Sequence, residues 1–199
     1  MNRTSLSLAG GLATALLLVS TPAAQAAVGP KDALGKADIV KLFPELADGE
    51  FKTERTKKIA VPDGTCGANT QKKATSAVSI AGLSGAGDPI VVAGVAEVKS
   101  SGLAKTYFKA FTSYVKQCAS YTDPASGATV TVRPTKGSKL GQESLSIVQE
   151  TAISTFTTHS ASVLIRDGKR IASIVVADDA PIDASTMKKL AKVAAKNMR

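Results

Sequence analysis

The stretch Ser160-Ala161-Ser162-Val163-Leu164-Ile165-Arg166-Asp167-Gly168-Lys169-Arg170-Ile171-Ala172-Ser173-Ile174-Val175-Val176-Ala177 decides the fold. Two β-rich runs, 160–166 and 169–177, flank the pair Asp167-Gly168. Such a pair supplies the positive φ that a primed two-residue turn requires, and that turn matches the twist of the strands on either side. The reading is a β-hairpin, and therefore an antiparallel sheet.

Working outward, residues 143–155 carry Leu145, Ile147 and Val148 and read as a strand. Residues 128–133 read as another, after the turn residues Asp123-Pro124 and Gly127. Residues 74–83 alternate with period two through Ser76, Val78 and Ile80, and 90–98 form a further strand. Residues 51–61 are charged at Lys52, Glu54, Lys57 and Lys58 and poor in apolar groups; they read as an edge strand or an extended loop. Before them, 27–35 form a polar Gly/Pro lead-in, and Asp38 is expected to cap a short helix through Leu42 that stops at Pro44.

Two longer helices complete the pattern. Ser100 or Ser101 caps one that runs to about Cys118. Its residues Ala104, Tyr107, Phe108, Phe111, Tyr114, Val115 and Cys118 share one apolar face, with Lys105, Lys109 and Lys116 opposite. Asp183 caps the last helix, which packs through Met187, Leu190, Ala191, Ala194 and Met198. The expected architecture is α+β: a single domain with an antiparallel sheet of about 6–7 strands, packed with a long central helix and a C-terminal helix.

The 199 residues hold 25 Lys and Arg against 16 Asp and Glu, a formal charge of +9. One His, two Cys and no Trp argue against a His-rich metal site or a Cys-rich zinc module. Residues 1–26 read as a signal peptide. Arg3 precedes an apolar run at 6–19, Pro22 breaks it, and Ala24-Gln25-Ala26 fits a peptidase, with cleavage after Ala26. The run is short for a bilayer span, which needs about 20 residues; an uncleaved anchor is the alternative. No Cys follows the run to carry a lipid. Residues 27–199 form the secreted domain, with no stable membrane span after cleavage. Outside the cell, Cys66 and Cys118 are expected to form one disulfide closing a loop of about 50 residues, worth roughly 4 kcal/mol. Free or intermolecular thiols are the alternative.

Several motifs lend themselves to chemistry. Gly82, Gly85 and Gly87 resemble a phosphate loop but run into a strand instead of a helix, so they read as turn glycines. Ser113 with Lys116, and Ser185 with Lys188, match the Ser-x-x-Lys pattern of penicillin-recognising enzymes without their companion motifs. Asp178, Asp179 and Asp183 read as a turn and a helix cap; no metal site is expected. His159 stands without a nucleophile and reads as a solvent-facing strand residue. The basic residues Lys57, Lys58, Lys72, Lys73, Arg133, Lys136 and Lys139 are spread along the chain. Lys188, Lys192, Lys196 and Arg199 form a stripe suited to anionic surfaces. Nucleic acid is not expected as a partner, because the aromatics lie on a core face instead of among the cations.

Leu42-Phe43-Pro44-Glu45-Leu46, a loop Cys, a helix ending in Cys118, Lys139-Leu140-Gly141-Gln142-Glu143-Ser144, the hairpin at 163–171 and a closing Lys/Ala helix together resemble secreted sensor-like domains of actinobacteria. They are similar to the extracellular domain of the mycobacterial PknH-type serine/threonine kinases. The resemblance implies an α+β domain with a cleft for an undefined extracellular ligand. It departs in lacking a kinase or transmembrane segment, and in offering one bridge where the kinase domains carry two. Cys66 and Cys118 carry over; no ligand residue does.

The expected function is a non-enzymatic, ligand-binding protein of the cell exterior, monomeric and without cofactor. Its partner is an unknown extracellular ligand or an envelope polymer. The alternatives are an envelope-associated protein docking to anionic polymers by its basic surface, and a wall hydrolase using Ser and Lys.

Overall fold

A computed structural model describes residues 28–199; the leader expected at 1–26 lies outside the described residues. The strands are β1 (Glu50–Pro62), β2 (Asn69–Leu83), β3 (Ile90–Glu97), β4 (Ser120–Thr122), β5 (Thr129–Thr135), β6 (Glu143–Ile153), β7 (Phe156–Asp167) and β8 (Arg170–Asp178). The helices are α1 (Lys36–Val40), α2 (Ser101–Gln117) and α3 (Ala184–Asn197). All eight strands join one antiparallel sheet in the order β1-β2-β3-β8-β7-β6-β5-β4. The class is α+β as read, but the sheet has eight strands instead of 6–7. The extra strand is β4, three residues too short to show a period, formed as the chain leaves α2 and pairs with β5.

The decisive hairpin is present and turns one residue later than expected. Asp167 pairs with Arg170, so Gly168 and Lys169 form the turn. Gly168 takes φ +57° while Lys169 stays at negative φ, the pattern of a type II′ turn with Gly in first place. A second tight hairpin joins β6 to β7 at Ser154-Thr155, where Ser154 itself adopts φ +54°.

The two faces of the sheet carry separate cores. On one, α2 lays Ala104, Phe108, Phe111, Tyr114 and Val115 against Ala96, Ile147, Leu164 and Ile171. Each large apolar side chain buried this way contributes roughly 1.5–3 kcal/mol. Ser100 caps α2, its hydroxyl accepting the Leu103 N–H at 3.2 Å. On the other face, α3 packs Met187, Leu190, Ala191 and Ala194 against Ala161, Val163, Ile174 and Val176. Asp183 caps α3 as expected, accepting the Thr186 N–H at 2.8 Å.

The N-terminal segment differs from its reading. Instead of a polar lead-in, it places Val28, Ala33 and Leu34 in the α3-side core. The Val28 N–H donates to Ser76 Oγ at 2.9 Å. Asp38 does not cap α1. Gly35 is the N-cap, and Asp38, three residues into the helix, accepts the Gly35 N–H at 3.1 Å.

The β1–β2 hairpin shifts register between Thr56 and Lys58 and folds over α2, burying Ile59 and Val61 there. Its tip reaches β4 at the opposite edge of the sheet, where Gly67 lies against the Tyr121 ring. The Cys66–Cys118 disulfide fixes this arrangement, with Cα atoms 5.4 Å apart. Beside it the Tyr114 and Tyr121 hydroxyls are hydrogen-bonded at 3.0 Å, and burial pushes the Tyr114 phenol well above its ordinary range.

Candidate functional site

α3 lies across β7 and β8 and leaves β6 uncovered on the same face. The uncovered strip becomes a cleft because residues 135–142, between β5 and β6, rise as a second wall. The cavity measures about 440 Å³. Its floor is built by register: Ser146 stands opposite Val163, and Val148 opposite Ala161, with all four side chains on the α3 side of the sheet. Val148 is 36% exposed on that floor. Leu140 closes the loop wall, and Ile182 and Met187 close the helix wall.

The loop wall is fastened to the sheet. Ser144 Oγ donates to the Ser138 carbonyl at 2.8 Å and accepts the Leu140 N–H at 3.3 Å. The Gln142 N–H donates to the Arg166 carbonyl at 2.8 Å. Arg166, itself buried, donates to Glu143 at 2.5 Å and to the Gln142 side chain at 2.6 Å. A Cβ at Gly137 would collide with Ser146 Oγ, so a larger residue there would push the Ser146 side chain aside.

Besides Ser146 on the floor, polar groups line the cleft: the hydroxyls of Thr135, Ser138 and Ser185, and the amines of Lys136 and Lys188. No carboxylate lines it among the described residues.

The residues singled out by sequence are dispersed. Of the stripe Lys188, Lys192, Lys196 and Arg199, only Lys188 lines the cleft, and Arg199 approaches Asp167 at 3.5 Å. Ser113 and Lys116 are both exposed on the outer side of α2. The Ser185 hydroxyl donates to Asp183 at 2.6 Å, so its proton is held by a capping carboxylate instead of by Lys188. Gly82 packs on the Phe51 ring, and Gly87 takes φ +106° in the turn that follows.

His159 is half-buried in β7, directly opposite Asp178. Asp179 is raised by its neighbour Asp178, and Asp88 by burial and then by Asp179. No group of three or more His, Cys, Asp or Glu side chains suited to a metal occurs among the described residues. Nor is any described helix long and apolar enough to cross a membrane. Sequence reasoning missed the cleft's floor and loop wall, because both arise from strand pairing; the Lys139–Ser144 stretch was the one local signal near them.

No family model and no curated protein matches the sequence. Solved structures do. The extracellular domain of PknH from Mycobacterium tuberculosis superposes with a TM-score of 0.54 at 12% identity, covering 83% of this chain and 90% of that one. An uncharacterized protein from Mycobacterium smegmatis, an ortholog of Rv0999, matches at a TM-score of 0.42 and 10% identity, over 80% of this chain and 96% of that one. The chain shares the fold of the PknH extracellular domain, the fold its sequence resemblance implied. At this identity the likeness concerns the fold alone.

Proposed function

We propose that the protein is a secreted, non-enzymatic binding module of the cell exterior, and that its ligand occupies the cleft between α3 and the 135–142 loop. The observation that carries this reading is the cleft itself. It combines an apolar floor, convergent polar groups and a fastened wall, the usual make-up of a small-molecule site. The disulfide and the fold shared with an extracellular domain support the location. On this reading residues 27–199 are the functional unit and act as a monomer.

Thermal unfolding with fractionated envelope extracts tests it. At least one fraction is expected to raise Tm for the wild-type protein and leave Val148→Trp, whose indole fills the floor, unshifted. If no fraction moves the wild-type Tm, the reading falls.

A second reading rests on a different observation. Lys57, Lys58, Lys72 and Lys73 crowd the exposed β1–β2 hairpin, with Lys58 directly opposite Lys73. Like charges facing across strands are destabilising, so an anionic partner would relieve them. Lys188, Lys192 and Lys196 on α3 add to the positive surface that would dock the protein to acidic polymers, whereas Arg199 is engaged by Asp167. Release from cell walls by moderate salt supports this, since exposed charges are screened over about 8–10 Å; retention in salt counts against it.

A further inference from the structure

We propose that the cleft takes a single-chain amphiphile with an anionic head, the head held between Lys136 and Lys188 and the chain laid along the β6–β7 floor. This rests on the binding reading above and names its ligand class. Charge comes first. The arginines nearby are paired inside the molecule, Arg166 with Glu143, Arg170 with Glu97 and Asp32, and Arg199 with Asp167, whereas the lysines of the loop and of α3 are not. Lys136 on the loop wall and Lys188 on the helix wall have no such partner among the described residues, and no acid faces them in the cleft. A neutral or cationic ligand would leave both amines unmatched.

The floor supplies the second half of the argument. Val148 holds a branched apolar side chain open to solvent in the middle of a paired strand, where a polar residue would serve a bare sheet face better. Ala161 and Val163 continue the apolar strip toward Met187 and Ile182. A sugar or a free phosphate has no use for that strip; an alkyl chain does. At about 440 Å³ the cavity is toward the lower end of the range for small-molecule sites, roughly 300–1,000 Å³, which favours one chain over two. The hydrogen bonds that fasten the loop to the sheet limit the ordering cost of binding.

Calorimetry of the protein, purified as its host processes it, with octanoate, decanoate and dodecanoate below their micelle concentrations tests the proposal. Burial of the chain predicts that affinity rises about threefold to fourfold per added methylene. Dodecyl maltoside, with the same chain and no charge, is expected to bind at least tenfold more weakly than dodecanoate. Inorganic phosphate alone is expected not to register. Lys136→Gln with Lys188→Gln should bring dodecanoate down to the level of the maltoside, and Val148→Trp should abolish binding of both.

Equal affinity for dodecanoate and the maltoside overturns the anionic head. Affinity independent of chain length overturns the buried chain, and unchanged binding by Val148→Trp overturns the location. If no carboxylate binds while an envelope fraction still stabilises the wild type and not Val148→Trp, the amphiphile falls and the cleft stands. If nothing binds, both fall.

Discussion

Arg170 in β8 donates to the carboxylate of Asp32, 3.3 Å away across 138 residues of chain. The same guanidinium reaches Glu97 at 3.3 Å and the Met198 carbonyl at 2.8 Å. One side chain therefore ties the N-terminal segment, β3, β8 and the end of α3 together. Asn197 adds a bond to the Ala33 carbonyl at 3.2 Å.

Removing Arg170 leaves Glu97 and Asp32, both buried, short of partners. Arg170→Ala is expected to lose about 3 kcal/mol of stability in urea unfolding. Arg170→Lys should recover less than half of that, because a single amine cannot span three acceptors on different elements. A loss below about 0.5 kcal/mol for the alanine variant would contradict this account.

Glu97 sets an acid limit on the fold. Its hydrogen bond from Lys169, with help from Arg170, holds its carboxyl below the ordinary value of 4.5 despite burial. A carboxylate depressed in the folded state stabilises fully above its unfolded pKa, and that stability is lost as pH falls through the folded value. Tm should therefore be flat near neutrality and drop below about pH 4.5. Glu97→Gln should lower Tm at pH 7 and flatten the acid limb; an unchanged limb would show that other carboxylates set it.

The disulfide joins structures from opposite edges of the sheet, so its loss should free the β1–β2 tip from α2. Cys66→Ser with Cys118→Ser is expected to cost roughly 4 kcal/mol. Amide exchange should speed up first at residues 59–70, before the α3 face responds. Uniform exchange across both faces would contradict that order.

Ser154 takes φ +54° in a two-residue hairpin turn. A side chain there costs about 1–2 kcal/mol, and glycine avoids it while losing some chain entropy. Ser154→Gly should gain about 0.5–1 kcal/mol. Ser154→Ala should gain nothing, and the comparison of the two midpoints checks the backbone as the cause.

Much of this was legible residue by residue. α2 showed itself because its apolar positions recur at helical offsets, and Asp183 because a cap precedes a periodic run. β7 was seen only from Ser160 onward, since Phe156–His159 is exposed or half-buried and its turn lacks the usual Gly, Asn or Asp. Val28 and Leu34 looked like linker because their burial depends on α3 and Ser76, far away in sequence. Of the cleft, Lys136, Leu140, Ser185 and Lys188 stood out in the sequence, without anything to show that they meet. Its floor needs the pairing of Val148 with Ala161, which no local pattern announces.

The burial of Met198, next to the last residue, has a practical side. Met198 is anchored in the core, so a tag or reporter fused flush to Arg199 would pull on packed side chains. Fusions should carry a spacer, and immobilisation for binding work is better made through an exposed lysine on the outer side of α2, such as Lys105 or Lys109, away from the α3 face.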